Sequence, residues 1–465
     1  MSAPASEKHI RERSLWLDGL AAPLVPRPAL EGNLQCDVVI VGAGFTGLWT
    51  AYYLKQHAPD ARNVVLEREV AGFGPSGRNG GWVSGGIAGS ARVYARRSGH
   101  DQILRGERET YATVGEIGRV AEAEGIDCGF LQGGALVVAT SGPQHARLLA
   151  KVEAARRFGI GEADLALVTP EEVAQRVRVD GCLAATYSPH AARIDPARLV
   201  RGLADACERL GVTIHEGTET LEIGQGRVQC ASGTVSAQTV LRATEAYTTQ
   251  LRGERRRFLP LYSLMIATEP LPDGVWRELG WEGRELVSDQ RHLFFYAQRT
   301  RDDRIAIGGR GAPYRLGSPI DESHERNESV RARLLRTLHR HFPATAGSSI
   351  THHWGGPLGV PRDWCMSVTY DRGSGLGWAG GYAGHGVVAA NLAGRTLADL
   401  VLGRETDLVT LPWVNHRSPR WEPEPLRFVA SRAIVAILGS ADRHEDTKGR
   451  AARRTKLVEP FVLEH

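Results

Sequence analysis

Residues 36–54 read CDVVIVGAGFTGLWTAYYL. Cys36–Val41 is a short, apolar, β-branched run, GAGFTG fills Gly42–Gly47, Leu48–Gln56 suits a helix, and Asn63–Glu67 is a second apolar run ending in an acid. Together they spell strand, turn, helix and strand within about 30 residues. Each glycine answers a physical demand: Gly42 permits the tight turn, Gly44 lets backbone approach a pyrophosphate, and Gly47 allows close helix packing. The helix N-terminus offers unpaired amides and a favourable dipole to phosphate, and Glu67 can accept hydrogen bonds from a ribose diol. Glycines also cluster in ordinary turns; the flanking strand, the helix and the terminal acid make this a dinucleotide-binding unit.

The next stretch, AGFGPSGRNGGWVSGG at Ala71–Gly86, holds too many glycines for a helix or strand interior, yet interleaves Phe73, Arg78, Asn79 and Trp82. A linker would be polar and simple in composition, so ordered backbone wrapped round a ligand is expected. Arg96–Glu124 suits a helix, Gly133–Ala139 a strand, and Gln144–Phe158 and Pro170–Val177 two more helices, the last opened by a Thr169/Glu172 capping box. A weaker copy of the first unit spans Asp195–Ala243, with Pro196 in the first turn of an amphipathic helix, Gly211 at its stop and a hairpin turn at Gly233. HLFFYAQ and RIAIGGR, between His292 and Arg310, are expected strands. Period-two alternation places His292, Phe294 and Tyr296 on one face.

GLGWAGGYAGHGVVAANLAGRTLADLVLG at Gly375–Gly403 reads as a short strand (Leu376–Ala379), a glycine-rich turn (Gly380–Gly386) and an apolar helix ending near Gly403. Its N-terminus presents free amides to whatever lies in front of it. Gly384 stands 342 positions after Gly42, so one ligand gripped by both turns must be long. Nicotinamide dehydrogenases need only the early turn, whereas FAD reaches both. The late helix would face the flavin's pyrimidine edge, where its positive end stabilises the charge gained on reduction.

Composition narrows the function classes. In 465 residues, 42% are hydrophobic and 24% charged, which describes a globular chain of two to three domains rather than a disordered or fibrous one. No long apolar run or signal-like N-terminus is present, so no membrane partner and a cytoplasmic location are expected. The six cysteines lack CxxC spacing, and His352 and His353 have no third ligand spaced nearby, so no metal is expected. A formal charge of +4, from 57 basic and 53 acidic side chains, is too balanced to argue for nucleic acid.

The chain resembles the D-amino-acid oxidase class of FAD-dependent amine oxidoreductases, and within it the gamma-glutamylputrescine oxidoreductase type. The likeness is carried by residues 36–54 together with GPSGRNGGW (74–82), ARIDPARLVRGL (192–203), ATEAYT (243–248), IAIGGRGAPY (305–314), WGGPLGVPRDW (354–364), GGYAGHGVVAANLAGRTLADL (380–400), LPWV (411–414) and WEPEPLR (421–427). It implies an α/β fold: a discontinuous Rossmann-like FAD-binding domain (36–90, 190–250, 352–412) covered by a mixed-sheet α+β substrate domain (91–189, 251–351). Residues 1–35 would form an arm and 413–465 an extension. It implies oxidation of the C–H beside an amine nitrogen, giving an imine that hydrolyses to an aldehyde or keto product.

By motif, Gly42, Gly44, Phe45, Thr46, Gly47, Glu67 and Arg68 would hold the ADP half of FAD. Ser76, Arg78, Asn79, Gly80 and Gly81 would lie against pyrophosphate and flavin, with Thr220, Ala243 and Thr244 beside them. Gly384, His385, Gly386 and Val387 would approach the pyrimidine edge. His292, Tyr296 and Arg310 are the candidates for substrate contact in catalysis. The partners implied are a small primary or secondary amine, such as a polyamine derivative or specialised metabolite, and oxygen or another electron acceptor. The oligomeric state is left open.

Several positions depart from the family pattern. Leu358 stands where members that oxidise α-amino acids often carry an arginine, which points to an amine whose acid group, if any, is held elsewhere. Glu245 replaces a usual asparagine, and with Arg242 it suggests either a local ion pair or a changed substrate mouth. Cys365 invites comparison with covalently flavinylated relatives, but its registry favours non-covalent FAD. Three rival readings remain: an amino-acid oxidase using Arg310 for the carboxylate, an enzyme of modified RNA bases docking through Arg443–Arg454, and a non-catalytic flavin-binding partner.

Overall fold

The computed structural model describes residues 6–311 and 314–458. Ala312 and Pro313 of the IAIGGRGAPY motif, residues 1–5 of the expected arm and 459–465 of the expected extension lie outside them. Two sheets organise the chain. The first runs in the order Ser367–Asp371, Leu376–Gly380, Thr234–Arg242, Leu34–Val41, Asn63–Leu66, Thr213–His215, with a hairpin of Thr220–Gly224 and Arg227–Cys230 attached to Thr234–Arg242. Its five inner and far-edge strands are parallel, and Ser367–Asp371 closes the near edge antiparallel. The central strand Leu34–Val41 is flanked by Thr234–Arg242 and Asn63–Leu66, so both expected βαβ units share one sheet.

The early helix, Phe45–His57, has no polar face. Every residue from Phe45 to Lys55 is buried, because it lies between the helices Pro196–Arg209 and Gly386–Leu402. The late helix is similarly apolar, and a β-carbon on Gly394 would stand 2.7 Å from the Trp49 β-carbon. Close approach of these two helices brings sequence-distant glycine turns to one end of the sheet.

The second sheet has the order Ile350–Val360, Leu259–Thr268, Ile305–Gly309, Phe295–Arg299, Leu286–Asp289, Ala135–Ala139, Ala184–Ser188, Ala166–Val168. All neighbours are antiparallel except Leu286–Asp289 with Ala135–Ala139. Alternation sorts its faces: Tyr262, Leu264 and Ile266 join the core beneath helix Glu328–His341, while Leu261, Ser263 and Met265 face the cavity between the sheets.

Two expected boundaries move. Residues 352–360, placed by motif in the FAD-binding part, form the edge strand of the second sheet, paired along Leu259–Thr268. Helix Ala91–Ala123, within the part that the resemblance assigns to substrate, packs through Tyr94, Ile103, Val114, Ile117 and Val120 into the core of the dinucleotide-binding half. Motif position reports neither pairing nor packing partner, which long-range contacts set.

Candidate active site

Steric facts at the early turn explain its glycines. Gly42 (φ 108°) passes beneath Ala243, whose carbonyl oxygen would lie 2.6 Å from a β-carbon there. A β-carbon on Gly47 would overlap the Gly42 carbonyl oxygen, and one on Gly44 would stand 2.9 Å from Ser76 Oγ. That hydroxyl accepts the Phe45 amide at 2.9 Å, tying the glycine-rich loop to the helix N-terminus. Glu67 accepts the Ala43 amide at 2.9 Å and the Glu69 amide at 3.1 Å, while burial pushes its pKa up.

The late turn meets the early one. Tyr382 Oη lies 2.8 Å from Thr46 Oγ1, and Asn391 Nδ2 donates to Tyr53 Oη at 3.1 Å. Gly384 (φ 112°) has open space where a β-carbon would point, on the wall of a cavity of about 2670 Å³ that reaches both turns. An extended dinucleotide fits this cradle: helix amides and Glu67 at one end, side-chain-free backbone at Gly384 and Gly386 at the other.

Glu245 links these parts. Its Oε1 accepts the Gly381 and Tyr382 amides at 2.8 and 3.0 Å, and its Oε2 accepts the Gly359 amide at 2.9 Å. The local ion pair with Arg242 is therefore not formed; Arg242 pairs with Glu254 and lies over the Trp378 ring. Burial pushes the Glu245 carboxyl up to about 7 against the pull of those amides. The folded state thus holds a proton that the unfolded state, titrating near 4.5, releases, so the carboxyl's contribution to stability falls as pH rises from about 4.5 to about 7. Thermal melts at pH 5.0 and 7.5 should show a larger fall in Tm for the wild type than for Glu245→Gln; equal falls would count against this assignment.

Residues named from sequence divide into groups. Gly42, Gly44, Phe45, Thr46, Glu67, Arg68, Ser76, Arg78, Asn79, Gly80, Thr220, Ala243, Thr244, Gly384, His385, Gly386 and Val387 all line the cavity. Gly47 does not, being a packing glycine, nor does Gly81, where a β-carbon would run into Gln298 and the Ile194 carbonyl. The Arg78 guanidinium is spent within the protein, on Glu325 at 2.6 Å, Tyr247 Oη and the Gly355 carbonyl. Asn79 staples its own loop through the Ser76 carbonyl and the Gly81 amide. Cys365 is buried away from the cavity, its thiol donating to the Asp363 carbonyl and pushed up to about 12 by burial and Asp363, an environment unsuited to attack on a flavin.

The three candidates for substrate contact differ. Tyr296 is on the cavity wall, its hydroxyl 2.7 Å from Ser263 Oγ and its ring edge-on to Trp82. His292 departs from its expected strand, which begins at Phe295; its amide donates to Asp442 and its Nε2 lies 3.3 Å from Glu445. Those acids belong to helix Leu426–Lys448, which roofs the cavity with Ala430, Ile434, Ile437 and Leu438, and tertiary anchoring overrides the local alternation. Arg310 is inside, its guanidinium 4.7 Å from the Phe294 ring centroid and 5.6 Å from that of Trp364, with no ion pair among the described residues. Burial lowers its pKa only to about 10, so it stays charged at neutral pH.

Sequence reasoning missed Lys151, which reaches the cavity from helix Gly142–Arg157. The signal was available: Gln144, Leu148 and Lys151 share one helical stripe, and the first two are buried. The basic tail, read as a docking arm in one alternative, folds back, with Arg454 donating to the Ser440 carbonyl. Among the described residues no helix is long and apolar enough to cross a membrane.

The chain matches known proteins over most of its length. It is 30% identical to a probable oxidoreductase OrdL of Rhizobium meliloti, over 82% of this chain and 86% of that protein. It is 31% identical to the gamma-glutamylputrescine oxidoreductase of Escherichia coli, over 81% and 86%. Its fold is similar to crystallised glycine oxidase from Geobacillus kaustophilus, with a TM-score of 0.69 and 21% identity over 83% of this chain and all of the other. The family model described as FAD dependent oxidoreductase (DAO) matches residues 37–400. With two glycine turns converging on one dinucleotide-sized cavity, the chain belongs to the DAO family of FAD-dependent oxidoreductases.

Proposed function

We propose that this enzyme oxidises the C–H next to an amine nitrogen in a small primary or secondary amine that carries an acid group, and that Arg310 holds that acid group. One observation carries the reading: a half-buried guanidinium on the cavity wall, with no anionic partner among the described residues, held between aromatic rings. A charge facing a cavity from between aromatic rings is well placed to take an anionic group of a ligand. Leu358, facing the same cavity where relatives often carry an arginine, agrees with an anchor that has moved.

FAD, when bound, supplies the acceptor for the two electrons that leave the substrate carbon as hydride. The early turn, Glu67 and the Ser76 loop would hold its ADP half, and Gly384–Val387 its far end. The protein's remaining task is orientation. Arg310 fixes the acid group in bidentate geometry, Tyr296 and Trp82 bound the space beside it, and the C-terminal helix keeps water out. His385 shows what the local field does to a cationic nitrogen: burial first, then the charges of Arg310 and Lys151, hold its pKa down to about 4. The same surroundings favour the neutral form of a bound amine, whose lone pair then assists hydride departure. Water adds to the resulting imine outside the closed site, releasing amine and carbonyl product.

Purified holoenzyme mixed anaerobically with an amine panel should lose its flavin absorbance near 450 nm with amines bearing a carboxylate. Retention of full colour with every amine would refute amine oxidation. The reoxidant, oxygen or another acceptor, is read from the rate at which colour returns in air.

A further inference from the structure

We propose that the N-terminal arm is a working part of the cofactor site: Trp16, together with Trp354, holds two carbonyls of the glycine-rich loop away from the cavity, so that the amides of Asn79 and Gly80 are turned toward the flavin. Both tryptophans are positioning residues. The inference goes beyond amine oxidation and does not depend on which substrate is oxidised.

The arm carries two short helices, Glu7–Arg11 and Leu15–Asp18. Ile10, Leu15, Trp16 and Leu17 share one apolar cluster with Phe73 of the loop and with Met265, Ala267 and Trp354 of the second sheet, so the arm bridges the two halves of the molecule. The indoles of Trp16 and Trp354 meet edge to face, their centroids 6.3 Å apart. Polar contacts fasten the same junction: Arg13 donates to Glu325 Oε1 at 2.5 Å, and Oε2 of that carboxylate pairs with Arg78 at 2.6 Å.

Hydrogen bonding along the loop is one-sided. Every carbonyl from Gly74 to Gly81 has a donor. The first three are satisfied within the loop itself, by the Gly77 and Arg78 amides and by Asn79 Nδ2. Gly77 then accepts from Ser14 Oγ at 3.2 Å, Arg78 from Trp354 Nε1 at 2.9 Å and Asn79 from Trp16 Nε1 at 2.8 Å. Gly80 accepts from Gln298 Nε2 at 2.6 Å, and Gly81 from the Ile194 amide at 2.9 Å. The amides of Asn79 and Gly80, by contrast, make no hydrogen bond among the described residues.

A trans peptide is planar, with its C=O and N–H pointing in opposite directions. An indole that fixes one carbonyl therefore fixes the amide of the next residue: Trp354 aims the Asn79 amide, and Trp16 aims the Gly80 amide. Asn79 and Gly80 line the cavity, whereas neither Trp16 nor Trp354 does. The carbonyls are thus drawn into the protein and the two free donors face the space where the cofactor would lie. Reduction leaves a flavin more negative, so donors held in advance toward it stabilise the reduced form and raise its potential.

Trp16→Phe keeps the ring and removes the donor. FAD titrated into the apoprotein should bind about tenfold more weakly, as expected for a lost bond to a buried carbonyl. The midpoint potential of the loaded protein, read by reductive titration against indicator dyes, should move to more negative values. Trp354→Phe should do the same through the neighbouring peptide. Trp281→Phe is the control, because it loses an indole bond to the Glu285 carbonyl within the core of the second sheet; it should lower the melting temperature and leave the potential in place. An unmoved potential in Trp16→Phe overturns the proposal whether or not FAD binding weakens, since the arm would then serve packing alone; an equal shift in Trp281→Phe also overturns it. If neither loop variant folds, hydrogen exchange of the wild type decides. FAD should slow the peptide that spans Asn79 and Gly80, and exchange as fast with FAD as without it overturns the assignment.

Discussion

Gly47→Val should yield a colourless protein, with FAD content at least tenfold below wild type in the absorbance ratio of 450 to 280 nm. A β-carbon at this position overlaps the Gly42 carbonyl oxygen, and the Ile40 side chain lies only 3.3 Å away, so the larger side chain has no direction in which to relax. The turn must open or the helix must move off the strand, and either change spreads the amides that would meet phosphate. The cost is on the order of 3 kcal/mol or more, enough to lower cofactor occupancy and melting temperature together. Gly115→Ala serves as the control, because its β-carbon meets nothing within 4 Å. A fully yellow Gly47→Val protein would remove the early turn from the cofactor site.

Arg310→Met should lower kcat/KM for a carboxylated amine by about 100- to 1000-fold, with FAD content unchanged. Losing a desolvated charge-assisted pair costs about 3–4 kcal/mol in ligand binding, and part of that loss appears as misorientation of the reacting carbon. Uncharged amines should lose far less, since they make no use of the guanidinium. Methionine keeps the bulk between Phe294 and Trp364, so the aromatic walls retain a partner. Equal losses for charged and uncharged amines would assign Arg310 to structure instead of substrate.

The early unit was legible because its signals are local: β-branched run, three spaced glycines, apolar helix and terminal acid all fall between Cys36 and Glu67. The late turn was legible for the same reason, and its meeting with the first followed from the length of ligand that would need both. The pairing of residues 352–360 with Leu259–Thr268 was not legible, because that partner lies about 90 residues away in sequence and no local feature names it. His292 lines the cavity from outside its expected strand, because alternation cannot foresee that Asp442 and Glu445, on the C-terminal helix, capture its backbone and ring. For Glu245 the sequence leaves a local ion pair with Arg242 or a changed substrate mouth, whereas its partners are backbone amides on two remote segments. Backbone donors leave no mark in a sequence.

The contact of Thr46 with Tyr382, and of Trp49 with Gly394, carries a consequence for biosynthesis. A ribosome making this protein exposes the first half of the dinucleotide cradle early, whereas Gly384 of the second half follows Gly42 only 342 residues later. Cofactor capture therefore waits on the later turn, and a nascent chain arrested before Gly403 would hold a half-built grip that cannot retain its flavin.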